Sequence, residues 1–544
     1  MMKMIAQNKA ISFDGVHESI FHVLKNGKDK DTRKRATILK DLFRPEVLNS
    51  EYMENALTGR LIPLNKVFPE TPTIDQYRPI VALSPVAKIL EARIAVKLKY
   101  YVKRYCTHSQ TGFVQGCGTF INIQRIIKWC NENNKKGNRG ILLFIDLRKA
   151  YDSVPLGTLF RMLEETRALS KSEIQYLQAW YTRMKVGVLT GRNPTFFKCD
   201  KGVLQGSMIS PLLFNIFFDS LLSRLHREGI GINNQFAYAD DLAIGIEESI
   251  IKLNKVIDCI EKWSEDMKIQ VNKSKSGIMQ LGATVRSKRV FQPREIYNQY
   301  RGYPLLDSYK YLGVHLDYRV NLKDHINKIV EKTDKLKRNL RILGKTNFKV
   351  KTWILLWKAY ILPHFAYSAI AAKSSKFKGP LRTLTQKMRA NLKKFMGLKA
   401  STQNELLTKL TGFDFDNFSD RMEKLAEYRW DRRCGGNMMA PIFENCTKTK
   451  IYSKCVLNHL NWDIIQCWNM VYSKCKTSNG LKSWRHLKEC HGVSNKLITS
   501  LSPMVVMNID YRRKLKNRNL PELACELRRL MENESNCARS AASA

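Results

Sequence analysis

Three carboxylates stand out by type and setting. Asp146 ends the uninterrupted apolar run Gly140-Ile-Leu-Leu-Phe-Ile, and Asp240 and Asp241 are adjacent within Gln235-Phe-Ala-Tyr-Ala-Asp-Asp-Leu-Ala-Ile-Gly245. A strand-sized run that delivers a carboxylate at its end and a hairpin that carries two at its turn can aim all three into one cleft. Carboxylate oxygens gathered in that way hold hard divalent cations, which stabilise charge on phosphoryl oxygens. Asp146 and Asp240 are the best candidates for bridging ligands, with Asp241 as the supporting third carboxylate. Taken alone, Tyr238-Ala-Asp-Asp241 also suits a plain β-turn, where Asp is favoured locally. Asp152, six residues beyond Asp146, reads as a structural or capping residue rather than a ligand.

The surrounding sequence must position these groups. Residues 16 to 58 read as mainly helical, with the charged segment Lys25 to Arg35 solvated. Leu61 to Val67 and Ile80 to Leu83 read as short extended pieces among Pro63, Pro69, Pro72 and Pro79, and Ser84 to Tyr101 returns to helical spacing. After the strand that ends at Asp146, Pro155 to Trp180 reads as a longer helical region, and Lys201 to Ser207 as a Gly-containing loop. Ser210-Pro211 predicts a helix start, with Ser as N-cap and Pro in the first turn, continuing to Leu225. Ile250 to Met267 is helical, with Leu253, Val256, Ile257, Ile260 and Trp263 on one side, and Tyr309 to Leu316 is a further strand. The alternation predicts one α/β lobe between residues 140 and 316.

Composition limits the partners. The chain has 544 residues and carries 92 Lys and Arg against 49 Asp and Glu, a formal net charge of +43. That excess is far from an ordinary enzyme of small metabolites and suits a polyanion, nucleic acid before a membrane surface. From 321 to 400 there are 20 Lys and Arg against 3 Asp and Glu, in a stretch that reads as helical and would follow a phosphate backbone. With 44% apolar residues the chain supports packed cores, and its longest apolar runs are strand-sized, so no bilayer span is expected. Thirteen cysteines without a C-x-x-C pair read as reduced thiols of an intracellular protein.

Three ordered blocks carry a resemblance: Phe144-Ile-Asp146-Leu-Arg-Lys-Ala-Tyr151-Asp152, Gly202-Val-Leu-Gln205-Gly206-Ser-Met-Ile-Ser210-Pro211-Leu-Leu-Phe-Asn215, and Phe236-Ala-Tyr238-Ala-Asp240-Asp241. They resemble the reverse transcriptases of non-LTR (LINE-type) retrotransposons and, more distantly, those of group II introns. Before the palm, the amino-terminal block Lys9 to Val16, the fingers blocks Arg60 to Lys66 and Tyr77-Arg78-Pro79-Ile80, and Thr111-Gly-Phe113 with Gly116 and Gly118 are similar to that family. After the hairpin, Asn272-Lys-Ser-Lys275-Ser, Tyr311-Leu312-Gly313-Val and Tyr360 to Tyr367 are similar as well. Telomerase and viral RNA polymerases fit less well.

The resemblance implies an α/β plus α fold, the right-hand polymerase: an N-terminal extension and fingers over 1–139, and a palm over 140–316 with part of the fingers inserted at about 155–200. A helical basic thumb over 320–400 and a C-terminal region of uncertain role over 401–544 complete it. It implies RNA-templated extension of a DNA primer from dNTPs, on an RNA–DNA duplex in the nucleus. The cofactor implied is a pair of Mg²⁺ ions, with Mn²⁺ able to substitute. They would be held by Asp146, Asp240, Asp241 and the carbonyl of Leu147. Lys66 and Arg78 would meet the triphosphate, Tyr151 would exclude a 2′-hydroxyl, and Gln205 and Gly206 would lie beneath the nascent base pair. Lys275 would be the general acid for pyrophosphate, and Tyr311, Leu312 and Gly313 the primer grip.

Two other classes compete: a catalytically silent or domesticated nucleic-acid-binding relative, and an intron-type reverse transcriptase that also acts as a maturase. The presence of all three carboxylates weighs against the first, and the Phe144 to Asp152 block against the second. Cys467, Cys475, His486 and Cys490 follow a zinc-knuckle order, but their gaps are too wide, so zinc is not expected; Trp462, Trp468 and Trp484 read as core. The fingers blocks begin at Lys9 and the acidic residues Asp414, Asp416, Asp431, Asp463 and Asp510 are scattered, so no nuclease active site is expected.

Overall fold

A computed structural model describes residues 51–435, except 68–69, 136–139, 191–192, 248, 283–298, 343–349, 376–377, 397, 399, 403 and 416. The readings of residues 16–50, of the block at Lys9 and of the Cys, His and Trp residues beyond 435 lie outside the described residues. The described residues divide into two compact units, one holding 51–312 and 433–435 and the other 313–432.

The first unit is built on two four-stranded sheets. One has β1 (Thr58–Asn65) at its centre with β2 (Tyr77–Ala82) antiparallel to it, and β1 runs parallel to β4 (Lys185–Thr190), which pairs with β5 (Asn193–Lys198). The helical region read from 155 to 180 holds two helices, α4 (Leu156–Thr166) and α5 (Lys171–Arg183), after α1 (Glu51–Ala56), α2 (Pro85–Arg104) and α3 (Thr119–Lys135). The break is local chemistry: Ser170 and Glu173 form a reciprocal capping box that starts α5.

The second sheet has β3 (Ile141–Ile145) between β7 (Asp241–Ile246) and β8 (Gly277–Gln280), with β6 (Gln235–Tyr238) at the edge beside β7. Every residue of β3 is buried, as a continuous apolar strand covered on both faces requires. On one face lie α6 (Ser210–Arg227) and α7 (Ile250–Asp266), where Phe217 and Phe218 meet Trp263 edge to face. On the other, Phe144 stacks on Tyr309 with ring centroids 4.1 Å apart, and Trp129 of α3 packs on Phe236. Burying each such side chain is worth about 1.5–3 kcal/mol, so the sheet's position is set from both sides.

Two local readings are corrected. The N-cap of α6 is Ile209, which makes no side-chain cap; Ser210 is the first helical residue, and the hydroxyl of Ser207, two residues before the cap, accepts from the backbone N–H of Ile209 and Ser210. Tyr309 to Leu316 is two strands, β9 (Ser308–Tyr311) and β10 (Val314–Asp317), because Leu312 and Gly313 both adopt positive φ, 43° and 81°, and turn the chain.

The second unit is helical after β10: α8 (Lys323–Ile342), α9 (Val350–Leu356), α10 (Leu362–Ser374), α11 (Lys378–Met396), α12 (Asn404–Thr411) and α13 (Phe418–Arg433). Between α9 and α10, Trp357–Ile361 winds as a π-helical turn, with the Leu362 N–H donating to the Trp357 carbonyl; Pro363, lacking an N–H, follows at once. Thr352–Ser374 is therefore 23 continuous helical residues, by length and composition apolar enough to cross a membrane. It is 67% buried and supplies the core of this unit, with Trp357, Phe365 and Ala369 packed inside. The basic residues Lys332, Lys335 and Arg338 of α8 and Arg382, Lys387 and Lys394 of α11 are exposed.

Candidate functional site: a carboxylate cleft at one edge of the central sheet

The register of the sheet brings the carboxylates together. Ile145 of β3 pairs with Leu242 of β7, so the next residue, Asp146, falls level with Asp241. Tyr238 pairs with Asp241, which leaves Ala239 and Asp240 as the two-residue turn between β6 and β7. Asp146, Asp240 and Asp241 thus share one edge.

Asp146 is fixed by the segment that precedes β8. Its carboxylate accepts from Asn272 Nδ2 (3.0 Å), its carbonyl from the Asn272 N–H (2.8 Å), and its N–H donates to Ser276 Oγ (3.0 Å). Leu147 faces Val271 in a single antiparallel bridge whose hydrogen bonds fall on the flanking residues, so its own carbonyl stands outside them. Lys275 is exposed, one turn after Asn272, and its carbonyl accepts from Tyr309 Oη (3.1 Å).

The electrostatics of the cleft are those of crowded acids. Asp241 is pushed up to about 6 by loss of hydration and then by the charges of Asp240 and Asp146. Asp240 is raised above the usual carboxylate range, chiefly by burial; its own backbone N–H and Arg78 pull it down, and Asp146 pushes it up. Burial, with Asp146 and Asp241 beside it, lifts the Tyr309 phenol to about 12. The Arg78 charge therefore reaches the cleft from β2. Leu64 lies opposite Arg78, and Lys66 follows just past the end of β1, its N–H donating to the Gln76 carbonyl (3.0 Å); both Lys66 and Arg78 are exposed.

Tyr151 sits in the helical turn Ala150–Ser153, its ring stacked on Phe214 with centroids 4.7 Å apart, and Asp240 and Tyr238 close by. Its hydroxyl is buried without a hydrogen-bond partner. The Gln205 side chain donates to Asp152 Oδ1 (3.1 Å), and its carbonyl accepts from the Val81 N–H (2.7 Å). Gly206, at φ 120°, lies so close to β2 that a Cβ there would stand 2.2 Å from the Val81 carbonyl oxygen. Tyr311 is buried and its hydroxyl donates to the Phe236 carbonyl (2.7 Å); Leu312 and Gly313 form the turn beyond it.

Several positioning groups escaped the sequence reading: Asn272 at Asp146, Tyr309, Gln110 at Ala239, and the pair Asn122 and Arg125. Asn122 Nδ2 donates to the Ala237 carbonyl (2.8 Å). Arg125, brought down to about 9 by burial, donates to Asn122 and to the carbonyls of Ile232 and Gln235, with its guanidinium 5.1 Å from the Phe236 ring centroid. Asn272 opens the Asn272-Lys-Ser-Lys275-Ser block; the others carry no signal in type or spacing.

Among the described residues no three His, Cys, Asp or Glu side chains form a closed metal cage. The donor set still suits a hard cation, because Mg²⁺ is ordinarily held by one or two carboxylates together with substrate phosphates.

Residues 68–316 match the reverse transcriptase (RNA-dependent DNA polymerase) family. The RNA-directed DNA polymerase of the mobile element jockey from Drosophila funebris is 24% identical over 356 residues, 61% of this chain and 37% of its own. A Pol polyprotein of the type-1 retrotransposable element R1 2 from Nasonia vitripennis is 28% identical over 180 residues, 31% of this chain and 43% of its own. That of the type-2 element R2DM from Drosophila melanogaster is 26% identical over 248 residues, 44% of this chain and 23% of its own. Among solved structures, telomerase from Candida Tropicalis with a telomeric RNA fragment aligns at TM-score 0.39 and 13% identity, over 77% of this chain and 64% of its own. Residues 68–316 thus match a reverse transcriptase domain, and the chain's homologues, at low identity, are RNA-directed DNA polymerases of non-LTR retrotransposons. It spans less than half the length of the curated relatives it matches first.

Proposed function

We propose that this chain is an RNA-directed DNA polymerase of a non-LTR retrotransposon, which extends a DNA primer on an RNA template in the nucleus. The observation that carries the reading is the shared edge of Asp146, Asp240 and Asp241, inside a domain of the reverse transcriptase family. The reaction joins the primer 3′-oxygen to the α-phosphorus of a dNTP and releases pyrophosphate.

Reverse transcriptases generally work with divalent metal ions, and on this reading Asp146, Asp240 and the Leu147 carbonyl hold two Mg²⁺, with Asp241 in support. When bound, the ions supply the positive charge that the attacking oxygen and the leaving pyrophosphate both need. The protein's own groups do the rest. Asn272 and Ser276 fix Asp146 before substrate arrives. Arg78 and Lys66 draw the triphosphate towards the carboxylates, and Lys275 gives its proton to the departing pyrophosphate. Gln205, oriented by Asp152, and Gly206, docked on Val81, form a platform for the new base pair, while the Leu312-Gly313 turn guides the primer.

The test is primer extension by the purified chain and its Asp146→Ala and Asp240→Ala variants. Each variant is expected to lose at least about a thousandfold in rate, because several kcal/mol of charge stabilisation disappear. Template–primer binding should persist, since phosphate contacts supply most of it. Undiminished extension by either variant would remove the assignment.

A further inference from the structure

The turn that presents Asp240 rests on one buried side chain outside the hairpin. Ala239 has φ 55°, a left-handed conformation that a residue with a Cβ disfavours and that a surrounding structure must impose. The Gln110 amide imposes it from both sides of the same residue. Oε1 accepts from the Ala239 N–H (2.8 Å), and Nε2 donates to the Ala239 carbonyl (3.0 Å). Oε1 also accepts from the Gly112 N–H (2.9 Å), so two backbone donors converge on it and fix which end of the amide is oxygen.

Gln110 is itself immobilised. It lies in a parallel bridge with Ala237, flanked by hydrogen bonds from the Thr111 N–H to the Ala237 carbonyl (2.9 Å) and from the Ala237 N–H to the Ser109 carbonyl (3.3 Å). Gly112 lets the segment close in: a Cβ there would stand 2.3 Å from the Ala239 nitrogen. Asn215 of α6 anchors it by donating to the Gly112 carbonyl (2.8 Å). Ser109, Thr111 and Asn122 engage β6; Gln110 engages the turn residue itself.

We propose that Gln110 is a positioning residue for Asp240, holding the Ala239 peptide in the left-handed conformation from which the carboxylate enters the cleft. The inference rests on the polymerase reading above and adds to it the group that sets the geometry of its turn. Without the amide, the buried N–H and carbonyl of Ala239 lose their partners, and the strained turn has reason to relax. Displacing a catalytic group by about 1 Å costs on the order of a hundredfold in rate.

Gln110→Leu keeps the bulk and removes all three hydrogen bonds. Gln110→Glu keeps the shape and turns an oxygen towards the Ala239 carbonyl. Each is made alone and with Ala239→Gly, since glycine takes positive φ without strain. Primer-extension kinetics, template–primer affinity, thermal melting and hydrogen exchange of the peptide Phe236 to Leu242 are measured beside the wild type and Asp240→Ala. Both Gln110 variants are expected to lose about a hundredfold in kcat with affinity within about twofold, and to exchange faster at the turn. Ala239→Gly should return at least tenfold of that loss while leaving the melting temperature where the Gln110 variant put it. If the Leu variant fails to fold, the Glu variant and its Gly partner decide. Wild-type kcat in a folded Gln110 variant, or a loss that follows melting temperature and that Ala239→Gly leaves untouched, overturns the proposal while the polymerase reading stands. A wild-type chain that does not extend sinks both.

Discussion

Asp240 and Asp241 are acids kept where ionisation is costly: loss of hydration is the first cause at both, the charge of Asp146 adds to it at both, and that of Asp240 adds to it at Asp241. Type and setting made them legible: an apolar strand ending in a carboxylate and a hairpin with two at its turn are uncommon without a use. Tyr151 was legible only through its likeness to a family block, and the structure adds a buried hydroxyl without a partner and a stack on Phe214. If the ring lies under the sugar, exclusion of a 2′-hydroxyl needs only its bulk. Tyr151→Ala should therefore raise ribonucleotide over deoxyribonucleotide incorporation by at least about tenfold, measured as a ratio of kcat/KM values. An unchanged ratio in a variant that still polymerises would remove the gate. Gln110 and Arg125 were not legible at all, because amides and guanidinium groups announce nothing until the fold brings them to the carbonyls and N–H groups they satisfy, more than a hundred residues away.

At the scale of elements, the hairpin and the central strands followed from apolar periodicity, while their joints did not. Leu312 and Gly313, at φ 43° and 81°, split one expected strand into two; Gly313 permits such a turn, but nothing in a leucine signals positive φ. The Ser170 to Glu173 capping box, a Ser followed three residues later by Glu, marks the start of α5 in the sequence itself. The loop before α6 shows how such joints are held. Glu91 of α2 is fully buried and accepts from Ser207 Oγ and from the Met208 N–H (2.9 Å), so it ties the loop bearing Gln205 and Gly206 to α2. Burial pushes its carboxyl from the ordinary 4.5 up to about 7, against the hydrogen bonds of Ser207 and Met208 and the charge of Lys88; Tyr181 also faces it. A carboxyl whose folded-state pKa is raised stabilises the fold fully below its unfolded pKa and loses that contribution as pH rises through the folded value. Relative to Glu91→Gln, the wild type should lose on the order of 3 kcal/mol between pH 4.5 and 7.5. Thermal melting should show the gap between the two widening by a few degrees over that range. Parallel melting curves against pH would contradict this account of Glu91.

At the scale of the molecule, the excess positive charge announced a polyanion before any motif was read, and the exposed basic side chains of α8 and α11 give that charge a surface. Binding carried by such contacts releases counterions from the nucleic acid, so template–primer affinity should fall steeply with salt. Replacing Lys335, Arg338 and Lys387 together by Ala should lower the slope of log affinity against log salt by about 3, with no change in template sequence preference. An unaltered slope would place the binding charge elsewhere. The central claim, that the carboxylate cleft copies RNA into DNA, is tested most directly by giving the purified chain one primer annealed to matched RNA and DNA templates, with Mg²⁺ and dNTPs. The account predicts extension on the RNA template that stops when Asp240 is replaced by Ala. A wild-type chain that binds the RNA-templated primer and leaves its 3′ end unextended would contradict it.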